Sequence, residues 1–466
     1  MSYAWQQKET GTICVSVSIK YIGEKRMNIL FVSLGCDKNL VDTEVMLGLL
    51  ASHGHQMVDS EEEADVIVVN TCCFINDAKE ESIQTILEMA EYKKAGSIKT
   101  LIVTGCLAQR YKQEIMDEIE EVDAVLGTTS YDKIVEVIDE ALQGHKSLEL
   151  TDIDALPLVD SKRIVTTGGH FAYLKIAEGC DKHCTYCIIP KIRGNFRSVP
   201  MERLIKEAES LVEQGVKELI LVAQETTLYG KDIYGEKSLP RLLKELCKIS
   251  GLRWIRILYC YPEEITDELI QVIKEEDKIC NYLDLPIQHA SNGVLKRMGR
   301  RTSKEQLIDI IEKLRREIPD IAIRTTLITG FPGETEEQHE ELMEFVDEME
   351  FDRLGVFTYS PEEDTPAATM PDQIDESVKE DRQADLMELQ QEIAFELAEN
   401  MVGIEVLVMI EGKVADENAY VGRTYKDAPN VDGLIFVESD ELMMSGDFAK
   451  VRITGALDYD LIGELV

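Results

Sequence analysis

The amino-acid sequence predicts an α/β protein with three domains, and three patterns along the chain support this fold class. Residues 28–142 alternate short apolar strands with amphipathic helices, and residues from about 170 to 370 repeat a strand–helix unit six times. From about residue 400 onward, short strands are separated by Gly, Asp and Asn. We therefore expect a Rossmann-like N-terminal domain, a partial (β/α)6 barrel and a small C-terminal all-β barrel.

The first predicted domain spans residues 27–143. Its strand candidates are NILFVS, ADVIVVN, TLIVTG and VDAVLG, and helical periodicity such as that of NLVDTEVMLGLLASHG lies between them. This alternation predicts a parallel sheet with helices on both faces. Met27 directly precedes the first clear strand, so we expect translation to start there and residues 1–26 to be an artefactual N-terminal extension.

The next two domains are assigned to residues 168–398 and 399–466, after a linker at 144–167 that shows no steady period. Six βα units suit a curved, partly open barrel better than a flat sheet. The strand candidates of this barrel are FAYLKIA, ELILVAQ, WIRILYC, YLDLPIQ, AIRTTLITG and RLGVFTYS. The last domain contains GIEVLVMIEG, AYVGRT, GLIFVES and FAKVRITGALDYDL, whose turn-separated strands indicate a small β-barrel.

The charge of the chain bears on its partners. It has 89 acidic and 49 basic residues, a formal net charge of -40, and from Glu396 onward 15 residues are acidic and 5 basic. Such a chain should repel bare nucleic acid and attract a basic macromolecule, although an acidic, well-solvated surface is the alternative. The sequence shows no run of eighteen apolar residues and no signal peptide pattern, so we expect a cytoplasmic protein without a membrane partner.

Three cysteines lie within a short stretch of the second domain. In EGCDKHCTYCIIPKIRG, Cys180, Cys184 and Cys187 follow the first strand of the six-unit segment. Thiolates suit zinc and iron–sulfur clusters, but a structural zinc site needs a fourth ligand, and no second CxxC or HxxxH pair follows. A [4Fe–4S] cluster normally takes four cysteines. With three cysteines, one iron keeps an open coordination position, and a reaction can take place there.

A second set of cysteines is placed by topology. Cys36, Cys72 and Cys106 follow the first, second and third strands of the N-terminal domain. Because the carboxyl ends of parallel strands share one edge of a sheet, we expect these thiols to meet and to hold a second cluster with an open iron. The alternative is three unrelated small apolar side chains in strand-end loops. Four cysteines without partner spacing are expected to be core or surface thiols: Cys14, Cys247, Cys260 and Cys280.

The spacing CxxxCxxC, with Tyr186 before the last cysteine, resembles the signature of radical S-adenosylmethionine (SAM) enzymes. The resemblance implies that the methionine part of SAM binds the open iron and that its cleavage gives a 5′-deoxyadenosyl radical. From Met27 onward the chain resembles one family of this group, the radical methylthiotransferases. Their domain order is a cluster domain, a radical SAM core and a TRAM barrel, and they use two [4Fe–4S] clusters, the second of which supplies or activates sulfur.

Several segments resemble the RimO branch of this family, which modifies an aspartate of ribosomal protein S-twelve. They are VSLGCDKNLVDTE, KIRGNFRSVP, VAQETTLYGKD, LDLPIQHASNGVLKRMGR and YVGRTYKDAPNVDG. The resemblance implies methylthiolation of the aspartate β-carbon, and an electron donor and a sulfur source as partners. The acidic barrel fits the basic ribosomal protein as a docking partner. One departure is Cys73, which stands where the branch has glycine; we expect Cys72 to be the ligand.

Three other functions stay open on the sequence. The nearest is methylthiolation of a tRNA adenosine by the same chemistry, which would require cations for the phosphates and is disfavoured by the acidic barrel. A two-cluster electron carrier would need no open iron, and its spectra would not respond to SAM. A zinc-stabilised RNA-binding module would be colourless and would contain zinc.

The resemblance also implies nucleotide contacts at the mouth of the partial barrel. The residues concerned are Tyr186, Gln224, Glu225, Thr226 and Gln288. For the three that end the second barrel strand, the alternative is a loop of solvated polar groups. Asp284 and His289 are expected to line the barrel, with structural packing as the alternative. Arg193 and Arg197 are candidates to orient carboxylates, with ordinary surface pairing as the alternative. The turn around Gly330 and Gly333 resembles one that contacts the nucleotide.

Overall fold

The computed structural model describes residues 5–7, 13–15, 26–157 and 162–466. It contains an open sheet, a curved six-stranded sheet and a closed five-stranded barrel, in that order along the chain. The predicted fold class is therefore confirmed.

The N-terminal domain is built on an eight-stranded sheet. Its order is β1-β2-β3-β5-β6-β7-β8, with β4 also paired to β3, and every pairing from β3 onward is parallel. Helices cover both faces, so β5 and β6 are buried along their whole length and read as continuous apolar runs. The strands are β1 (Trp5–Gln7), β2 (Ile13–Val15), β3 (Asn28–Ser33), β4 (Gln56–Val58), β5 (Val66–Thr71), β6 (Thr100–Gly105), β7 (Ala124–Leu126) and β8 (Ser147–Glu149). The helices are α1 (Asp37–Ser52), α2 (Asn76–Lys94), α3 (Cys106–Tyr111), α4 (Gln113–Glu118) and α5 (Ile134–Leu142).

Three strands of this sheet lie outside the predicted domain limits. β1 and β2 form an antiparallel pair within the predicted extension, and β2 meets β3 at Ile13 and Ser33; most of residues 1–25 lie outside the described residues. β8 lies in the predicted linker and pairs parallel with β7. Each of these strands is three residues long, which is too short for a period-2 pattern to stand out in a sequence.

The second domain is the predicted partial barrel. Its strands are all parallel, in the order β16-β15-β14-β13-β12-β9. The strands of the domain are β9 (Phe171–Lys175), β10 (Ala177–Glu178), β11 (Arg197–Ser198), β12 (Glu218–Val222), β13 (Trp254–Ile257), β14 (Ile279–Gln288), β15 (Ala322–Thr329) and β16 (Arg353–Thr358). Its helices are α6 (Ile189–Arg193), α7 (Met201–Glu213), α8 (Lys231–Tyr234), α9 (Leu239–Cys247), α10 (Asp267–Glu275), α11 (Asn292–Arg297), α12 (Lys304–Glu317), α13 (Glu336–Met349) and α14 (Glu376–Glu399). Within the described parts of the chain, no helix is both long and apolar enough to cross a membrane.

A small hairpin closes the base of the first cysteine loop. β10 and β11 pair antiparallel, with Ala177 opposite Ser198 and Glu178 opposite Arg197. Gly179 follows with a φ of +78° and lies against the backbone carbonyls of residues 194 and 195, where a Cβ atom would collide. The hairpin therefore holds the loop that contains the three cysteines as a closed unit at the carboxyl end of β9.

The C-terminal domain is a closed barrel in the order β17-β18-β19-β21-β20. It packs against the amino-terminal halves of the partial-barrel strands, on the side away from the cysteine loop. Glu218 at the start of β12 accepts hydrogen bonds from Arg256 (2.8 Å) and from Arg423 of the C-terminal barrel (2.7 Å), and all three side chains are buried. The strands are β17 (Glu405–Lys413), β18 (Ala419–Arg423), β19 (Ile435–Glu438), β20 (Phe448–Leu457) and β21 (Asp460–Leu465).

Candidate active site

The first cysteine set lies at the carboxyl end of the partial barrel. Cys180 and Cys184 are buried and Cys187 is half-buried. Burial, followed by the nearby Glu225 and Cys184, raises the pKa of the Cys180 thiol to about 12. Burial, followed by Cys184 and Cys180, also raises the pKa of Cys187. The three sulfurs are thus close enough to repel one another as thiolates, and a bound cationic cluster would stabilise them in that form.

The second cysteine set lies at one edge of the N-terminal sheet. Cys36 precedes α1, Cys72 follows β5 and Cys106 begins α3 after β6. β3, β5 and β6 are neighbours in the sheet, so the topology brings the three residues together. Burial, then Cys106 and Cys36, raise the pKa of Cys72. Gly35 has a φ of +88°, and a Cβ atom there would lie 2.7 Å from that of Cys72, so glycine lets the two loops approach.

Cys73 occupies a different environment from Cys72. Its side chain is fully buried and belongs to an apolar cluster that includes Cys106 but not Cys72 or Cys36. Burial raises its pKa to about 12, and of the three predicted ligands Cys106 alone is among the main contributors. By contrast, Cys72 interacts with both Cys36 and Cys106. The arrangement favours Cys72 over Cys73 as the third thiol of the set.

Both sets suit an iron–sulfur cluster in the chemistry of their donors. Each offers three thiols, and the described residues contain no group of three Cys, His, Asp or Glu side chains that converges on a single metal ion. In a [4Fe–4S] cluster each cysteine binds a different iron, so the thiols need to stand farther apart than the ligands of one ion. Of the remaining unassigned thiols, Cys247 is half-buried and Cys260 and Cys280 are buried, and Cys260 Sγ lies 3.4 Å from Thr226 Oγ1 at the barrel mouth. The side chain of Cys14 lies outside the described residues.

Arg193 joins the second cysteine set to the hairpin below the first cysteine loop. It lies at the end of α6, after the first cysteine loop, and its side chain is 2% exposed. Its Nε donates to Cys106 Sγ at 3.4 Å, and its Nη1 donates to Asp42 (2.8 Å) and to Glu178 (3.2 Å). Arg197, the other predicted arginine, donates instead to the Arg193 carbonyl at 3.1 Å and lies near Asp154 at the surface.

Two of the predicted nucleotide contacts have polar atoms that remain available. Gln224 Nε2 donates to Glu178 at 2.8 Å, while its Oε1 is buried without a hydrogen-bond partner in the described structure. Glu225 is fully buried, with Oε2 lacking a hydrogen bond and lying 3.8 Å from Lys182 Nζ. Burial raises the pKa of Glu225 to about 7. Thr226, in contrast, donates its hydroxyl to the Leu258 carbonyl at 2.8 Å and so ties two strand ends together.

Arg300 is a site residue that sequence reasoning missed. Its guanidinium lies 4.3 Å from the ring centroid of Tyr261, and Nη2 donates to the Pro286 carbonyl at 2.9 Å. Nε and Nη1 are buried without partners among the described residues. Cys184 and Tyr186 are among the groups that raise its pKa, so the two free donors lie beside the first cysteine set. Its position in LKRMGR gave no sign of burial, because two adjacent arginines read as a surface pair.

The remaining predicted residues mostly support the barrel mouth. Tyr186 packs edge-on against Phe331 at 6.5 Å. Asp284 accepts from Arg324 at 2.9 Å and from the Tyr259 backbone at 3.0 Å. His289 is buried, its Nδ1 accepts two backbone N–H groups, and its Nε2 faces Glu334 at 3.8 Å. Gln288, Gly330 and Gly333 all have positive φ angles, of 74°, 72° and 73°.

Comparisons with known proteins assign each domain. Residues 28–127 match the uncharacterized protein family UPF0004, residues 174–346 match the radical SAM superfamily, and residues 402–466 match the TRAM domain. Among solved structures, the radical S-adenosylmethionine methyltransferase TsrM from Kitasatospora setae has a TM-score of 0.53 at 13% identity, with 82% of this chain and 79% of that chain covered. At that identity the likeness concerns the fold alone.

Relatives of known name are similar over almost the whole chain. The ribosomal protein uS12 methylthiotransferase RimO of Lachnoclostridium phytofermentans is 67% identical over 437 residues, which cover 94% of this chain and 99% of that protein. The protein of the same name from Clostridioides difficile is 51% identical over 440 residues, covering 94% and 99%. Together with the radical SAM core and the TRAM barrel, these identities show that the chain belongs to the RimO family of radical SAM methylthiotransferases.

Proposed function

We propose that this chain transfers a methylthio group to the β-carbon of one aspartate in ribosomal protein uS12, using SAM and two [4Fe–4S] clusters. The observation that carries the proposal is the contact of Arg193 with Cys106. An arginine that follows the first cysteine loop hydrogen-bonds to a thiol of the second set. The radical domain therefore contacts the second cysteine set directly, as a reaction between a radical formed at the first site and sulfur held at the second would require.

The cysteines would bind the clusters, and residues at the barrel mouth would bind SAM. Cys180, Cys184 and Cys187 would hold the cluster that binds SAM, and Cys36, Cys72 and Cys106 would hold the second. When bound, the first cluster with SAM would supply a 5′-deoxyadenosyl radical, and the second cluster would supply a methylated sulfur. Gln224 Oε1 is a free acceptor for the amino group of SAM, and the two unpartnered donors of Arg300 suit its carboxylate. Tyr186 and Phe331 would exclude water beside the first cluster.

The substrate assignment has two independent supports. The relatives described above bear the name of uS12 methylthiotransferases. The C-terminal domain is also acidic, and several of its carboxylates are exposed, among them Glu417, Glu438 and Asp458. A basic ribosomal protein would be attracted to this surface, whereas a tRNA would be repelled. We propose that the C-terminal barrel docks uS12 in the cytoplasm, and that an electron donor and a sulfur source act on the same enzyme.

The test uses anaerobically reconstituted protein with SAM, sulfide, a strong reductant and a uS12 peptide. The peptide that contains the aspartate should gain about 46 Da, one SCH3 in place of one H. A peptide with that aspartate replaced by alanine should gain nothing. If the aspartate peptide and intact uS12 both stay unmodified while tRNA gains the group, the substrate assignment is wrong and the chemistry stands.

A further inference from the structure

We infer that Arg193 is a positioning residue that hydrogen-bonds to the Cys106 thiolate and raises the reduction potential of the second cluster. The inference rests on the proposed function, since it needs Cys106 to be a cluster ligand. It concerns a residue of the radical domain acting on the cluster of the N-terminal domain. Arg193 and Cys106 are 87 residues apart in the chain.

The geometry of Arg193 leaves little freedom. The side chain is 2% exposed, and the guanidinium donates to four partners: Cys106, Asp42, Glu178 and Asn39. Three of the four belong to the N-terminal domain, and Glu178 belongs to the hairpin below the first cysteine loop. Each partner fixes one edge of the planar guanidinium, so Nε is directed at the sulfur.

The other polar contact of Cys106 is with Asn39, and it is lost when Cys106 is a thiolate. Its Nδ2 donates to the carbonyls of Leu34 (3.0 Å) and Thr71 (2.9 Å), which leaves Oδ1 facing both Cys106 Sγ at 3.7 Å and Arg193. A carbonyl oxygen can accept from the thiol but gives nothing to a thiolate. Within the described structure, Arg193 Nε is then the hydrogen-bond donor that serves the Cys106 sulfur.

The sign of the effect follows from electrostatics. Reduction adds negative charge to a cluster, and an N–H donor or a cation at a ligand sulfur stabilises the reduced form. Bond formation between a carbon radical and a methylthiolate releases one electron, and the second cluster, when bound, would be the acceptor for it. A guanidinium beside Cys106 makes that electron easier to accept. The burial of the pair enhances the effect, because the surroundings screen it weakly.

A purely structural ion pair between domains is the competing explanation. Arg163 provides the matched case within this chain. It is also buried, pairs with Glu44 at 3.1 Å and Glu207 at 2.6 Å, and donates to the Tyr173 carbonyl. Among the described residues it forms no hydrogen bond with a cysteine. Loss of a buried arginine that only joins domains should lower stability at either position. It should leave the potential of the cluster unchanged.

The experiment measures the potential of the second cluster alone. Cys180, Cys184 and Cys187 are changed to alanine, and the full chain is reconstituted and titrated with titanium(III) under EPR observation. Arg193→Lys keeps a positive charge but loses the directed Nε–H, and we expect the potential to fall. Asp42→Asn removes an anion beside the guanidinium while leaving Arg193 in place, and we expect the potential to rise. Arg163→Lys should not move it.

The outcomes separate the inference from the proposed function. Failure of the triple-alanine protein to bind iron would overturn the second cluster itself, and with it the proposed function. A cluster whose potential is the same in the parent, Arg193→Lys and Asp42→Asn would overturn the inference and leave the function standing. Should Arg193→Lys not fold, Arg193→Gln replaces it in the titration, because it also removes the guanidinium from Cys106 and is expected to lower the potential.

Discussion

Tyr259 and Tyr261, two residues apart after β13, reach the surroundings of different cysteine sets. The Tyr259 hydroxyl donates to Asp37, the residue after Cys36, at 3.2 Å, and the Tyr261 hydroxyl lies 3.9 Å from Cys184 Sγ. Tyr259 has a φ of 60°, a left-handed conformation that costs a bulky residue roughly 1–3 kcal/mol. One short stretch of backbone therefore spans the space between the two proposed clusters and is held there by its surroundings.

Loss of the Tyr259 hydroxyl should uncouple radical formation from product formation. Tyr259→Phe removes the bond to Asp37 that fixes the loop of Cys36 against the barrel. Since a misplacement of ~1 Å can cost about a hundredfold in rate, we expect on the order of a tenfold lower ratio of methylthiolated peptide to 5′-deoxyadenosine. Tyr229→Phe, which removes a buried bond to the Val199 carbonyl at 2.9 Å, is the control. An unchanged ratio in Tyr259→Phe would show that this bond does not align the site.

Iron content should distinguish Cys72 from Cys73. The reconstituted protein should contain about eight irons per chain, and Cys72→Ala about four, since it loses one thiol of the second cluster. Cys73→Ala should keep about eight, because Cys72 interacts with both Cys36 and Cys106 whereas Cys73 interacts with Cys106 alone of the predicted ligands. Iron and sulfide analysis checks this directly. The reverse pattern would make Cys73 the ligand.

Glu225 should destabilise the cluster-free protein as the pH rises. Burial raises the pKa of its carboxyl from 4.5 to about 7, so the folded state binds a proton more tightly than the unfolded state. The contribution of this carboxyl to the free energy of unfolding is complete below pH 4.5. It declines by at most ~3 kcal/mol as the pH rises to about 7. Glu225→Gln should flatten this decline in urea unfolding curves. Parallel pH profiles for the two proteins would refute the assignment.

The buried ion pair at the base of the barrel should hold the C-terminal domain in place. Arg423→Met leaves Glu218 with Arg256 alone, and breaking a buried charge pair costs about 3–5 kcal/mol. We expect this loss in denaturant unfolding, together with faster proteolysis between α14 and β17. The control is Arg452→Met in the same barrel, whose exposed pair with Glu405 contributes about 0–1 kcal/mol. Equal effects of the two changes would mean that the domain docks by other contacts.

The sheet topology could be predicted from the sequence, but the long-range contacts of buried side chains could not. The edge that gathers Cys36, Cys72 and Cys106 could be predicted, because strand ends of a parallel sheet meet whatever the intervening sequence. The partners of Arg193 could not be, since Asn39 and Asp42 lie on a helix some 150 residues earlier whose contact with α6 no local pattern encodes. Arg300 was missed for a different reason, since two adjacent arginines in a sequence indicate an exposed pair and not a buried guanidinium.

Thr226 shows the limit of assigning a role from position alone. Like Gln224 and Glu225 it lies where β12 ends, and the resemblance implies a nucleotide contact for all three. The direction of each side chain depends on the groups of the neighbouring strand that it contacts. Thr226 bonds to the Leu258 carbonyl, and its contact with the nucleotide stays a prediction.

The central claim is that two cysteine sets act in sequence on one substrate, and two single variants test it directly. Intact uS12 is incubated with the reconstituted wild type, Cys184→Ala and Cys106→Ala, and both 5′-deoxyadenosine and the mass of uS12 are measured. We predict both products for the wild type, neither for Cys184→Ala, and 5′-deoxyadenosine without a mass gain of about 46 Da for Cys106→Ala. A mass gain that persists in Cys106→Ala would contradict the account.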